Sequence, residues 1–346
     1  MLIREDVPLA PLTTLSVGGP ARYFVEATTE YEVIAAVEFA HFGKLPLFVL
    51  GGGSNVVISD AGYSGLVLKI SINGISDHRD GQTVIFNAGA GCDWDALVAK
   101  SVEMNCAGLE CLSGIPGTVG ATPVQNVGAY GQEVSQTIRE VRVLDLAGMD
   151  VKTLRNDECG FTYRSSAFNT TERGHYVILR VVFATQPGGK PTVDYPDVQK
   201  YFADTEAPTL AQVRQAVLEI RHRKAMLIVP GEEDARSAGS FFKNPVLPQK
   251  EFEALSESLA TRGLQIPNYP TSAGRKVPAG WLVEHAGFAK GYAKGGAGIS
   301  RKHSLAIVNR GEATAADIVA LKDEIQQRVV QTFGILLEPE PVFVGF

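Results

Sequence analysis

Residues 113–131 read SGIPGTVGATPVQNVGAYG, and residues 50–55 read LGGGSN. Five glycines and two prolines between Gly114 and Gly131 exclude the interior of a helix or a strand. Ile115, Val119 and Val127 are interleaved with them, which predicts an irregular backbone that is partly buried. Such a backbone needs partners for its N–H and C=O groups, and a large, flat cofactor with polar edges supplies them. The shorter stretch leaves a short apolar run, Leu45 to Leu50, that reads as a buried strand. Its Gly51-Gly52-Gly53-Ser54-Asn55 run invites a dinucleotide reading, but that fingerprint must open a helix. Val56-Val57-Ile58-Ser59 follows instead, a β-branched run that prefers extended chain, and no G-K-[ST] completes a phosphate loop. What is left is a backbone nest able to receive an anion, or a tight turn without a ligand.

The rest of the 346-residue chain sets the frame for these loops. At ~150 residues per domain the length suggests two or three domains with sizeable cores. A hydrophobic share of 45%, a charged share of 20% and a net charge of −6 argue against wholesale disorder and against a nucleic-acid or membrane-surface partner. No apolar run approaches the ~18 residues of a membrane span, and MLIREDVPLAPLTT lacks the apolar stretch of a secretory signal. A cytoplasmic protein is expected. Cys92, Cys106, Cys111 and Cys159 form no C-x-x-C pair and have no histidines at zinc-finger spacing, so buried free thiols and no metal are expected.

Thr29 with Glu32 spells a capping box for a helix reaching Phe42, with Val33, Ala36, Val37 and Ala40 on one face and Gly43 as the stop. GLVLKI (65–70), TVIFNAGA (83–90), IREVRVLDL (138–146) and YVILRVVFAT (176–185) read as strands, with a helix from Asp93 to Met104 between them. From Thr209 the pattern turns helical: Thr209 and Gln212 form a second capping box before Leu210, Val213, Val217 and Ile220. Further helices are expected over Glu251–Thr261 and Thr314–Phe333, the last ended by Gly334, with a strand in HSLAIVNRG and an extended ILLEPEPVFVGF end. A boundary is expected between Pro187 and Pro208.

LGGGSN, SGIPGTVGATPVQNVGAYG, YRSSAF (163–168), AGSFFKNP (238–245), PAGWLVE (278–284) and LEPEP (337–341) together resemble, in order and over essentially the whole chain, the bacterial UDP-N-acetylenolpyruvoylglucosamine reductase family. The resemblance implies an α+β protein: a two-part FAD-binding domain of the vanillyl-alcohol-oxidase type, followed by a C-terminal α+β substrate-binding domain. Its parts would be residues 1–70, to which a final strand near 336–346 can return, then 71–205, then 206–335. FAD would be held non-covalently by Gly51, Gly52, Gly53, Ser54, Asn55, Gly114, Ile115, Pro116, Gly117, Val119, Gly120, Ala121, Gln125, Asn126, Gly128, Ala129, Tyr130 and Arg221. NADPH would be the reductant, UDP-N-acetylglucosamine enolpyruvate the substrate, and a monomer the working form.

The implied chemistry adds a hydride from flavin N5 to C3 of an enolpyruvyl ether and a proton to C2, with negative charge on the carboxylate side in between. A guanidinium suits that charge, and Arg164 matches the family's arginine for the carboxylate. Ser240 matches the proton donor. Its S-x-x-K string also fits a serine acyl-enzyme, but the S-D-N and K-T-G companions are missing. Glu340 matches the third catalytic position; Glu338 lies two residues away, and only the resemblance separates them. Arg221 and Lys224, three apart at a helix end, match the R-x-x-K in which the lysine meets the diphosphate, while dipole compensation explains such a pair equally well. Tyr195, in PTVDYPDV, matches the tyrosine of the long-loop subtype that closes over the UDP moiety. Asn244 and Glu284 are further candidates for substrate contacts, and His285 stands where the family usually has glutamine. A flavin oxidase of the same superfamily is the alternative reading.

Overall fold

The computed structural model describes residues 1–229 and 231–346. The helix Glu30–Phe42 is capped by the Thr29 side chain, which accepts from the Glu32 N–H, and buries Val33, Ala36, Val37 and Ala40. Its box is not the reciprocal one expected. The Glu32 carboxylate reaches back past Thr29 to the N–H and hydroxyl of Thr28, each at 2.8 Å. The four-stranded sheet beside it runs Arg4–Pro8, Pro20–Ala27, Tyr63–Ile70, Leu47–Leu50, antiparallel at the first pairing and parallel at the other two. The helix is the crossover that parallel pairing requires.

A second sheet is antiparallel, in the order Asp150–Arg155, Ile138–Asp145, Tyr176–Pro187, Thr83–Gly89, Ile75–Asp80, with Cys106–Ala107 on the far end of Tyr176–Pro187. The helix Trp94–Glu103, capped by Asp93, buries Trp94, Leu97 and Val98 in the apolar core that both sheets share. Phe86, Trp94 and Phe183 are among its largest fully buried side chains. Two strands of this sheet that sequence reading missed, Ile75–Asp80 and Asp150–Arg155, are edge strands. Their exposed polar residues show no apolar alternation, and pairing alone makes them strands.

The chain forms two compact units: Met1–Pro8 with Pro20–Gly53 and Tyr63–Leu227, and Leu9–Gly19 with Ser54–Gly62 and Ile228–Phe346. The helix Leu210–Arg223 therefore belongs to the first unit, not to a domain starting at residue 206. The reason is packing: its Val213, Val217 and Ile220 close a small core with Cys111 and Val198. Within the second unit the C-terminal strand Val342–Val344 pairs in parallel with Val56–Ile58. The helix Ala315–Phe333 buries Ile318, Leu321, Ile325 and Val329 in a core with Phe241, Phe242, Leu282 and Ile299. All four cysteines are free and buried, and burial pushes the Cys159 thiol up to about 12. Among the described residues no helix is long and apolar enough to cross a membrane.

Candidate active site

The two glycine loops meet within the first unit. A Cβ added to Gly52 would lie 2.6 Å from the Gly117 Cα, and one added to Gly51 would lie 2.9 Å from the Thr118 hydroxyl. Gly117 has φ +129°, a conformation open to glycine. The second loop is tied from beneath: Val119 donates to the Cys92 carbonyl, Gly120 to the Ala90 carbonyl, and the Gly117 carbonyl accepts from the Trp94 N–H. Ile115, Val124, Val127 and Ala129 pack against the core, as the interleaved apolar residues predict. One polar atom of the loop is left over: the buried Thr118 hydroxyl oxygen has no hydrogen-bond partner among the described residues. Buried polar groups are rarely left so, and a hydroxyl beside a side-chain-free cradle fits an anionic cofactor oxygen. The residues present therefore fit FAD.

Asn126 behaves differently from its neighbours. Its side chain donates to the Glu133 carboxylate (2.8 Å) and the Thr162 carbonyl (2.9 Å) and accepts from the Ser135 N–H (3.1 Å). It shapes the loop with its side chain and leaves only backbone for a ligand. The next turn is a tight one. Gly128–Ala129 and Gln132–Glu133 pair around Tyr130 and Gly131, both at positive φ (+49° and +91°), the hairpin type that matches strand twist.

Gly114 is gripped from both sides. Its N–H donates to Asp95 (2.6 Å), and its carbonyl accepts from Arg221 Nε (3.1 Å). Asp95 also takes a two-pronged bond from Arg214. Burial acts to raise the Asp95 carboxyl, and Arg214, the Gly114 N–H and Arg221 outweigh it, so it sits below its ordinary value. Arg221 is 7% exposed; burial pulls its guanidinium down, against the Tyr130 hydroxyl and the Asp95 carboxylate beside it. Arg221 Nη2 also donates to the Met226 carbonyl, so both backbone acceptors are neutral.

Around Arg221 the structure gathers Tyr130, Tyr195 and Lys224. The rings of Tyr130 and Tyr195 meet edge to face at 5.3 Å, and the Lys224 ammonium lies 6.0 Å from the Tyr130 ring centre. Burial acts to lower the Lys224 ammonium, but its 2.5 Å bond to Asp197 holds it above its ordinary value. Burial raises the Tyr130 phenol despite Arg221 and Lys224, so it stays neutral. Asp197 escaped sequence reading. Its signal was its place two residues after Tyr195 in PTVDYPDV.

Arg164 sits at the tip of a two-residue turn closed by reciprocal bonds between Thr162 and Ser165. Its φ of +55° is unusual for a residue with a side chain, and such strain collects at functional positions. Its guanidinium reaches Gly128, where an added Cβ would come within 3.1 Å of Nη1.

In the second unit, Ser240 and Glu340 lie on adjoining extended segments. The Glu340 N–H donates to the Phe241 carbonyl, Phe242 bridges Pro339, and the Lys243 N–H donates to the Glu338 carbonyl. The Lys243 ammonium also takes the Glu338 carboxylate at 2.5 Å. Glu338 is thus engaged by a lysine, a contact that spacing alone does not announce. Asn55 donates to the Glu340 carbonyl, and the Val342 N–H donates to the Asn55 carbonyl, so this asparagine pins the terminal segment. The Asn244 side chain accepts from the Ala279 N–H and starts the helix Ala279–His285. Glu284 is exposed, and His285 stacks on Trp281 at 3.8 Å.

The family model for an FAD binding domain matches residues 21–153, and that for the C-terminal domain of UDP-N-acetylenolpyruvoylglucosamine reductase matches residues 230–344. The chain is 44% identical to UDP-N-acetylenolpyruvoylglucosamine reductase of Thermobifida fusca, covering 99% of this chain and 98% of that one. It is 46% identical to the enzyme of that name from Streptomyces coelicolor, covering 99% and 90%. The crystal structure of UDP-N-acetylenolpyruvylglucosamine reductase from Thermus caldophilus superposes with a TM-score of 0.67 at 26% identity, covering 99% of this chain and 100% of that one. The glycine cradle, the α+β fold and these matches agree: the chain belongs to the UDP-N-acetylenolpyruvoylglucosamine reductase family, FAD-dependent oxidoreductases of peptidoglycan precursor synthesis.

Proposed function

We propose that this chain uses NADPH to reduce UDP-N-acetylglucosamine enolpyruvate to UDP-N-acetylmuramate, acting as a cytoplasmic monomer. The observation that carries the reading is the pairing of the Ser240 segment with the Glu340 segment. FAD held in the cradle of Gly51, Gly52, Gly117 and Thr118 would supply the hydride for C3. The remaining work falls to side chains. Arg164 receives the substrate carboxylate and holds the negative charge that develops there with the planar fork of its guanidinium. Ser240 delivers a proton to C2: a hydroxyl is a weak acid, but the carbon it meets is a strong base. Glu340 polarises the substrate alongside them. Lys224, kept charged by Asp197, meets the diphosphate, and Tyr195 covers the UDP moiety. Arg221 belongs to the cofactor side through its grip on Gly114. Asn244 and Glu284 offer further polar contacts.

The test is the visible spectrum of the purified protein, followed anaerobically through NADPH and then the enolpyruvyl sugar. Bleaching by NADPH and recovery with the sugar is the expected result. Recovery only in air would move the assignment to a flavin oxidase. Ser240→Ala should leave bleaching within about twofold and slow recovery by about 10²-fold or more, as expected for loss of a positioned acid. Equal loss in both half-reactions would show that Ser240 is not the specific proton donor.

A further inference from the structure

Glu110 is fully buried, yet none of the proposed roles uses it. One of its carboxylate oxygens accepts from the Gly108 N–H at 2.8 Å. The other accepts from Gln132 Nε2 at 2.8 Å and from the Thr192 N–H at 2.9 Å. Gln132 is itself 3% exposed; its carbonyl accepts from the Cys111 N–H (2.8 Å), and its Nε2 also reaches the Thr192 hydroxyl (3.1 Å). The Cys111 thiol donates to the Thr192 carbonyl at 3.2 Å. Every neighbour of the Glu110 carboxyl here is a donor, and both of its oxygens accept.

The knot lies between two segments that otherwise meet through rings. Gln132 is the residue after the Tyr130-Gly131 turn, and Thr192 comes three residues before Tyr195. We propose that Glu110 is a positioning residue that sets the Tyr130–Tyr195 contact by tying Gln132 and Thr192 to one buried carboxylate. The inference rests on the reading of Tyr195 as the cover of the UDP moiety. A core apolar residue in place of Glu110 would fill the space and remove the common acceptor of the buried Gln132 amide and the half-buried Gly108 and Thr192 N–H groups, and the two loops would lose their common register.

Glu110→Gln keeps the shape and sets an amide donor against at least one N–H. In the FAD-loaded protein, hydrogen exchange over residues 128–134 and 190–202 should accelerate about tenfold, with the remaining segments unchanged. KM for the enolpyruvyl UDP-sugar should rise about tenfold, with kcat and bleaching by NADPH within about threefold. The rise should vanish in the background of Tyr195→Ala, because Glu110 acts through that ring. Unchanged exchange, or faster exchange with an unchanged KM, overturns the proposal, as does a KM effect that adds to that of Tyr195→Ala. Should Glu110→Gln fail to fold, Thr192→Ala removes one bond of the same knot. A KM raised about threefold and non-additive with Tyr195→Ala then supports the role, and an unchanged KM overturns it. A wild-type protein whose flavin is not reoxidised by the sugar sinks the functional reading itself, an outcome visible before any variant is made.

Discussion

At the scale of single residues, the cofactor cradle makes two opposed demands. The Thr118 hydroxyl is buried without a partner, so in the flavin-free protein it contributes nothing favourable to stability. Thr118→Val should therefore leave the flavin-free protein as stable or slightly more so. The same change should weaken FAD binding about tenfold, the worth of one hydrogen bond to an ionised acceptor at about 1.5 kcal/mol. Fluorescence titration of the stripped protein with FAD, beside its denaturant midpoint, checks both signs. Gly52→Ala acts in the opposite sense. Its methyl would stand 2.6 Å from the Gly117 Cα and 3.0 Å from the Gly117 carbonyl carbon, backbone that cannot yield like a flexible side chain. A stability loss of about 1–3 kcal/mol, as for other overpacking changes, should accompany failure to retain FAD.

At the scale of elements, caps decide how the flanking helices start. Leu210–Arg223 carries a complete capping box, with Thr209 accepting from the Gln212 N–H and Gln212 returning a bond to the Thr209 N–H. Thr209→Ala should cost about 1 kcal/mol in chemical unfolding, with fraying that starts at the N-terminal turn of the helix. The helix Ala315–Phe333 is held twice. Thr314 and Asp317 form its box, and the Asp60 carboxylate accepts from Ala315 (2.7 Å) and Ala316 (3.0 Å). Asp60→Ala removes an acidic group from a helix N-terminus together with two bonds. A loss of about 1–2 kcal/mol by denaturant midpoint is expected.

At the scale of the whole molecule, acid and cofactor are the two levers on stability. Asp95 has its carboxyl held below its ordinary value, because Arg214, Gly114 and Arg221 outweigh burial. A carboxyl depressed on folding adds stability above its unfolded value, near 3.8, and loses that contribution as pH falls through the folded value. Asp95→Asn should lower stability at pH 7 and flatten the fall below about pH 4 in a series of denaturant midpoints. A fall as steep as in the wild type would show that other carboxylates carry it. FAD works by mass action: at about 100 times its Kd it should add about 2.7 kcal/mol to the folded state. The thermal midpoint of the stripped protein should rise accordingly when FAD is restored.

Local chemistry determined a good part of this protein. The faces of the helices Glu30–Phe42 and Ala315–Phe333, the Asp93 cap, and the strand rather than helix after Asn55 follow from side-chain periodicity, capping groups and β-branching, which act within a few residues. The glycine loops, too, announced a buried irregular backbone before any contact was known. Tertiary structure alone decided what spans long separations. It brought Gly52 against Gly117, set the Ser240 segment beside Glu340, and gave Glu338 to Lys243. It assigned Leu210–Arg223 to the first unit and Leu9–Gly19 to the second, and it tied Glu110 to Gln132 and Thr192. Register between distant segments depends on which buried donors and acceptors find each other, and that pairing leaves no periodic mark on the chain.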